Sequence, residues 1–240
     1  MQQVFERNAL IPPSACDYGG RLGYAGAFTV FMDLATEHAQ RLGVGLAAMR
    51  AKERFWLTVK TRIEFYERPA ISEAVRLLTW PEKPGPLRFN RSYEIRRDDA
   101  LLVAGRTEWA VMNTATGALA PSADIMPEGM DYARGSAVSG SYARVPDRFA
   151  ASDAFAEYTV RATDIDLGRH MNNAAYPRAL FGTFSRAELE AMDAHSIDLI
   201  FRAPCFEGDQ LTFYKKQGET VTELRAARGE ETVLLARIEK

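Results

Sequence analysis

One order of elements is legible twice in this chain, and any fold must accommodate both copies. Residues 4–13 read as a strand and 14–21 as a turn rich in Gly and Asp. Residues 24–42 then carry apolar side chains at helical spacing (Phe28, Phe31, Met32, Ala35, Ala39) before Gly43. Alternating stretches at 55–66, 75–80, 87–96 and 101–113 predict antiparallel strands, with Pro-Gly-Pro and Asp-Asp turns between them. From residue 156 the order restarts. A strand at 156–161 leads to a polar turn, a helix over 173–192, and strands at 197–202, 210–216, 221–227 and 232–239. Gly20-Arg21 matches Gly168-Arg169 at an offset of about 148 residues, and Arg68-Pro69 matches Ala203-Pro204 at about 135. A duplicated unit is the simplest reading, with 121–149, rich in Gly, Ser, Pro and Ala, as the linker.

The helix at 24–42 includes Ala25, Gly26, Ala27, Val30 and Leu34 off its main stripe, so burial on more than one side is expected, as a sheet wrapped around it would impose. On the first long strand, Trp56, Thr58, Lys60, Arg62 and Glu64 should share one face and Phe55, Leu57, Val59, Thr61, Ile63 and Phe65 the other.

Composition excludes several classes. With 47% hydrophobic residues, the 240-residue chain has ample core material, so disorder is not expected. Thirty basic against 32 acidic residues leave no basic footprint for nucleic acid. Cys16 and Cys205 lie in no metal-ligand spacing, and neither a leader-like apolar run nor a membrane-spanning length is present. A cytoplasmic protein with free thiols, no cofactor, no metal and no membrane insertion is the expectation.

The chemistry concentrates at 163–176, where Asp164, Asp166, His170, Asn172 and Asn173 precede a helix. Capping explains the asparagines but not a histidine beside two aspartates, a combination suited to acid–base work near backbone N–H groups. On the alignment above, the first copy has Leu22, Tyr24 and Ala25 where the second has His170, Asn172 and Asn173, so one site per chain is expected. Glu37, beside His38 on the first helix, is a second candidate base; neighbouring helical residues face different directions, so the two cannot share a site. His195 fits a role at the end of the second helix.

Three stretches carry a family resemblance: Ala35-Thr36-Glu37-His38-Ala39 with Leu42-Gly43; Phe55-Trp56 to Pro69 with Thr79-Trp80; and Asp164-Ile165-Asp166 to His170-Met171-Asn172-Asn173-Ala174-Ala175-Tyr176. Together they resemble a bacterial member of the acyl-acyl carrier protein thioesterase family, related to the plant enzymes that terminate fatty-acid synthesis. The resemblance implies an α+β double hotdog: an N-terminal hotdog over 1–120, the linker at 121–149, and a C-terminal hotdog over 150–240 carrying the catalytic motif. It implies hydrolysis of fatty acyl thioesters on the phosphopantetheine arm of acyl carrier protein, releasing free fatty acid. In those terms His170 activates water, Asp166 orients the imidazole or itself contacts the water, Asp164 belongs to the same motif, and N–H groups near Asn172 and Asn173, or near Gly23, hold the oxyanion. The sequence departs from the family at Gly168, where Asn is usual, and at Pro204, where Glu is usual. Cys205 matches a cysteine once proposed as nucleophile in plant members. Phe206 and Glu207 supply no cation to favour its thiolate, so water attack is the preferred route.

Two basic groupings, Arg54, Lys60, Arg62, Arg68 and Arg76, or Arg88, Arg91, Arg96, Arg97 and Arg106, are offered either as a surface for the acidic carrier protein or as a solvated strand face. The competing functions are an acyl-coenzyme A thioesterase and, in a different class, a catalytically inactive module that binds acyl chains. Chain length is not legible, and a homodimer of such chains is left open.

Overall fold

The computed structural model describes residues 3–127 and 129–240. It divides into two compact units, Met1–Ser141 and Tyr142–Lys240. The first contains β1 (Phe5–Leu10), α1 (Tyr24–Arg41), α2 (Leu46–Ala51), β2 (Arg54–Phe65), β3 (Ala74–Pro81), β4 (Phe89–Arg97), β5 (Ala100–Asn113) and β6 (Leu119–Ala120). The second contains β7 (Ala154–Thr159), α3 (Ala175–Phe181), α4 (Arg186–Glu190), β8 (Ser196–Phe201), β9 (Gln210–Gln217), β10 (Val221–Arg228) and β11 (Glu231–Glu239).

Within each unit the strands pair antiparallel in one order. The first runs β1-β3-β4-β5-β2, with β6 on β5, and the second runs β7-β9-β10-β11-β8. This is the doubled strand–helix–strands architecture expected of a double hotdog. Helix α1 lies against its sheet, with Phe31 stacked on Tyr93 at 4.8 Å between ring centroids. The close approach depends on Gly105 of β5, where an added Cβ would sit 2.4 Å from the Phe31 ring. At the other end of α1, a Cβ on Gly26 would lie 1.9 Å from the Ala15 carbonyl oxygen, so only glycine lets the helix pass the 3-10 turn at Pro13–Ala15. An apolar cluster of Leu42, Val44, Met49, Phe89, Val111, Ile125 and Met130, edged by Trp56 and Trp109, fills the space beyond the helix.

Hydrogen bonds fix the alignment of the two copies and correct the one read by residue identity. Asp17 N–H donates to Arg21 O and Gly20 N–H to Asp17 O; in the second unit Asp166 N–H donates to His170 O and Arg169 N–H to Asp166 O. Cys16 bridges Leu22 as Ile165 bridges Met171. The offset is therefore 149, not 148: His170 corresponds to Arg21, Asn172 to Gly23 and Asn173 to Tyr24. The shared left-handed position belongs to Gly20 (φ 69°) and Arg169 (φ 61°), so pairing Gly with Gly displaced the alignment by one. Likewise Leu22 N–H donates to Pro69 O and Met171 N–H to Cys205 O, making Cys205 the counterpart of Pro69 and Pro204 that of Arg68.

Two further expectations are corrected. The helix predicted over 173–192 is two short helices, because Gly182 ends α3 and Ser185 begins α4 with a capping box to Glu188. A β-bulge between Thr58 and Lys60 exchanges the two faces read along β2, so Trp56 and Thr58 fall on the side of Thr61, Ile63 and Phe65, while Lys60, Arg62 and Glu64 share the other. Arg62 is 8% exposed and Glu64 0%, covered by the segment through Ser139 and Gly140. The Glu64 carboxylate accepts from Ser139 N–H, Ser139 Oγ–H, Gly140 N–H, Arg62 Nε–H and Tyr66 Oη–H. Burial alone would raise its pKa, but these donors outweigh it and hold the carboxyl down at about 2. Of the two readings of the basic groupings, a docking surface finds little free charge: Arg68 pairs with Asp17, Arg76 with Glu6, Arg96 with Glu94, Arg97 with Glu67 and Glu73, and Arg106 with Glu82, while Arg91 is buried.

Candidate active site

The loop from Ala162 to Ala175 is a 3-10 turn, a tight turn and a short bridge closing on each other. Asp164 ends the 3-10 turn Ala162–Asp164 and is buried, its Oδ2 accepting from Arg161 N–H at 2.9 Å and Tyr158 Oη–H at 2.7 Å. Burial, and then the bond to Asp164, push the Tyr158 hydroxyl up to about 12, so it remains a donor. Both interactions pin the start of the loop, and Asp164 therefore acts as a structural anchor. Its carbonyl accepts from Asn172 N–H at 2.8 Å, tying the start of the loop to its end.

Asp166 opens the tight turn. Its Oδ1 accepts from Gly168 N–H at 2.7 Å, an Asx turn that places Gly168 and brings Arg169 into the left-handed region. No described residue donates to Asp166 Oδ2. The first unit contains the same turn with a different outcome: Asp17 Oδ1 accepts from Gly19 N–H at 2.9 Å, while its Oδ2 is paired with Arg68. Burial raises the Asp17 pKa, yet Arg68 and the backbone N–H groups of Arg21 and Gly19 bring it below the ordinary carboxylate value. In the second unit Pro204 stands at the Arg68 position, so the guanidinium that neutralises Asp17 has no equivalent beside Asp166.

His170 follows, half-buried. Its Nδ1 lies 3.3 Å from Met171 O; a carbonyl only accepts, so a neutral ring bonded this way carries its proton on Nδ1 and its lone pair on Nε2. Asn172 Oδ1 accepts from Ala174 N–H at 2.8 Å and Asn172 O from Ala175 N–H at 2.8 Å, which turns the chain into α3. With Oδ1 so engaged, Nδ2 is the donor of the Asn172 side chain. The main-chain donors named as oxyanion candidates are largely committed, Asn172 N–H to Asp164 O and Gly23 N–H to Ala15 O. Asn173 lies in the following turn.

Cys205 is fully buried. Its N–H donates to Tyr176 Oη at 3.0 Å, and Tyr176 Oη–H donates to Ala203 O at 3.3 Å, so α3 is locked to the 203–205 loop. Burial pushes the Cys205 thiol up, against a smaller opposing effect of Tyr176. Glu37 belongs to the first unit, where its carboxylate is held by Arg7 and Arg41, each at 2.9 Å, at the surface of α1. The residues that come together are thus Asp164, Asp166, His170 and Asn172 in one loop, with Cys205 behind it. Sequence reading missed Tyr158 and Tyr176 as loop supports; the Tyr-to-Asp spacing across a predicted strand end was the only signal available.

Among the described residues no helix is long and apolar enough to cross a membrane.

Comparison with known proteins identifies the family and the fold. Residues 2–127 match the family model described as acyl-ACP thioesterase N-terminal domain, and residues 149–236 match the acyl-ACP thioesterase C-terminal domain. An oleoyl-acyl carrier protein thioesterase of Arabidopsis thaliana is 24% identical over 227 residues, covering 85% of this chain and 61% of the plant protein. The chain thus spans about three-fifths of that relative's length. A crystal structure of an acyl-ACP thioesterase from Bacteroides thetaiotaomicron superposes with a TM-score of 0.82 at 20% identity, covering 99% of this chain and 97% of that one. The 12:0-ACP thioesterase from Umbellularia californica gives 0.84 at 19% identity, covering 100% and 97%. The fold is accordingly the α+β double hotdog, and the chain belongs to the acyl-ACP thioesterase family.

Proposed function

We propose that this chain hydrolyses the thioester joining a fatty acyl chain to acyl carrier protein, releasing the free fatty acid, with water as the nucleophile. The observation that carries the mechanism is the Asp166–His170 turn. Backbone bonding between these two residues and the contact of Nδ1 with Met171 O support Nε2 as the base. Nε2 takes a proton from water as the water oxygen bonds to the thioester carbonyl carbon. The tetrahedral oxyanion is held by the Asn172 side-chain amide, and Asn173 adds a second polar group from the same turn. The C–S bond then breaks, and the proton on His170 passes to the departing thiolate, giving carboxylic acid and thiol. Asp166, unneutralised by any arginine at position 204, stabilises the imidazolium formed midway. A positioned base contributes about 10² to 10⁴ in rate and one oxyanion donor about 3 kcal/mol. Asp164 holds the loop in shape.

Water attack is favoured over Cys205 attack because that thiol is buried and burial favours its neutral form. Acyl carrier protein as the carrier rests on family membership. The test is thiol release from acyl carrier protein thioesters and from the matching coenzyme A thioesters at equal concentration. Faster release from the carrier protein is expected; equal or faster release from coenzyme A would reassign the carrier.

A further inference from the structure

The first unit buries a set of hydrogen-bond donors that its own acceptors do not match. Side chains alternate along a strand, so Arg91 and Tyr93 of β4 share one face with Gly105, Thr107 and Trp109 of β5, and the register sets Arg91 opposite Thr107 and Tyr93 opposite Gly105. That face lies beneath α1, as the Phe31–Tyr93 stack demonstrates. Tyr93 is 0% exposed, and its hydroxyl has no hydrogen-bond partner among the described residues; neither has Trp109 Nε1, also sealed from solvent. Thr107 and Trp109 lie close enough to the Tyr93 hydroxyl oxygen to favour its anionic form, but neither contact reaches hydrogen-bond geometry. The Thr107 hydroxyl is engaged with that of Thr61 at 3.1 Å. Each such orphan costs about 1–3 kcal/mol, and native interiors contain few of them.

Arg91 adds charge to the same face. It is 6% exposed and donates from Nη1 to His38 Nδ1 at 2.8 Å and to Thr79 Oγ1 at 3.3 Å, both uncharged acceptors. No carboxylate among the described residues pairs with it. Arg62 and Arg106, also inside this unit, have Glu64 and Glu82 respectively. His38 cannot relieve the charge: burial, then Arg91 and Arg41, hold its pKa at about 3, so it stays neutral. A buried guanidinium with only neutral partners is costly unless an acceptor of negative character reaches it. Trp109 also borders the apolar cluster of Phe89, Met49 and Trp56. The surroundings are apolar on one side and donor-rich on the other.

We propose that this face is a subsite for an oxygen acceptor carried on an acyl chain, a hydroxyl, carbonyl or carboxylate, bound by the Tyr93 hydroxyl and Trp109 Nε1–H beside the Arg91 cation. The ligand class rests on the thioesterase reading, and the subsite extends that reading to oxygenated chains. Tyr93 and Trp109 supply two donors to one oxygen, and Arg91 favours oxygens with negative charge.

The test uses the full chain carrying His170→Ala and measures binding by calorimetry, so that hydrolysis plays no part. The probes are acyl methyl esters of one length: plain, hydroxylated, keto, and the half-ester of a dicarboxylic acid. At least one oxygenated ester should bind ten-fold or more tightly than the plain ester. Tyr93→Phe and Trp109→Phe, made separately, should each abolish that gain while leaving plain-ester affinity within about two-fold. Equal affinity for all four esters, no binding of any, or a gain that survives both changes would overturn the proposal and leave the donors to ordered water. The two readings separate cleanly. An oxygenated preference without hydrolysis of any acyl carrier protein thioester keeps the subsite and removes the thioesterase reading, and hydrolysis without a preference does the reverse.

Discussion

Pro204 stands in the second unit where Arg68 stands in the first, and the exchange decides the state of two equivalent aspartates. Asp17 has its outer oxygen paired with Arg68; Asp166 makes the same Asx turn with no guanidinium on its other oxygen. A duplicated turn has in one copy become an ion-paired structural element and in the other has retained an available carboxylate. Pro204→Arg should restore the pair and lower kcat for thioester hydrolysis ten-fold or more, about 1.4 kcal/mol of barrier, with little change in melting temperature. An unchanged kcat would remove Asp166 from the mechanism.

Glu64 makes the first unit acid-sensitive. Its folded pKa of about 2 lies below the ordinary glutamate value of 4.5. The stabilisation is therefore complete above the unfolded pKa and declines as pH falls from about 5 through 2. The total is on the order of 3 kcal/mol. Denaturant midpoints between pH 7 and pH 3 should fall less steeply for Glu64→Gln, which starts less stable at pH 7. Parallel curves for the two proteins would contradict the assignment.

His38 contributes in a higher window. Its pKa is depressed to about 3 from 6.5, so the unfolded chain binds a proton that the folded chain refuses as pH falls below 6.5. Stability attributable to His38 is full above that pH and is lost progressively toward 3, at up to about 1.4 kcal/mol per unit. His38→Gln should flatten the pH dependence of unfolding between pH 6.5 and 4. NMR titration of the wild-type imidazole should show no protonation at pH 5; protonation there would refute the buried neutral form.

Gly26→Ala tests the packing of α1 on the 13–15 turn. Helix propensity favours alanine by about 1 kcal/mol, but the new Cβ would meet the Ala15 carbonyl at 1.9 Å. Overpacking against backbone should win, with a net loss of about 1–3 kcal/mol. A stabilised variant would contradict the contact.

Much of the element order was legible because strand-like runs in the first unit are bounded by turn residues and the repeat restarts at the same kind of turn. What failed has identifiable causes. Gly20 and Gly168 look equivalent, yet the left-handed position falls on Gly20 and Arg169, because an Asx turn can force an arginine where glycine is easier. The break between α3 and α4 was present in the sequence as Gly182 and the Ser185–Glu188 capping box, but the apolar periodicity runs through it. Burial of Glu64 depends on the 136–140 segment, whose own sequence has no period to announce what it covers. At the candidate site, the residue types in the loop were legible, whereas the commitment of Asn172 N–H to Asp164 O depends on how the loop closes on itself, which spacing does not encode.

The central claim, that His170 activates water without a covalent intermediate, is tested most directly by the rate of thiol release from an acyl carrier protein thioester by His170→Ala, with Cys205→Ser as its control. The account predicts a loss of about 10² to 10⁴ for His170→Ala and near wild-type turnover for Cys205→Ser. Turnover that survives His170→Ala, or collapses in a folded Cys205→Ser protein, would contradict it.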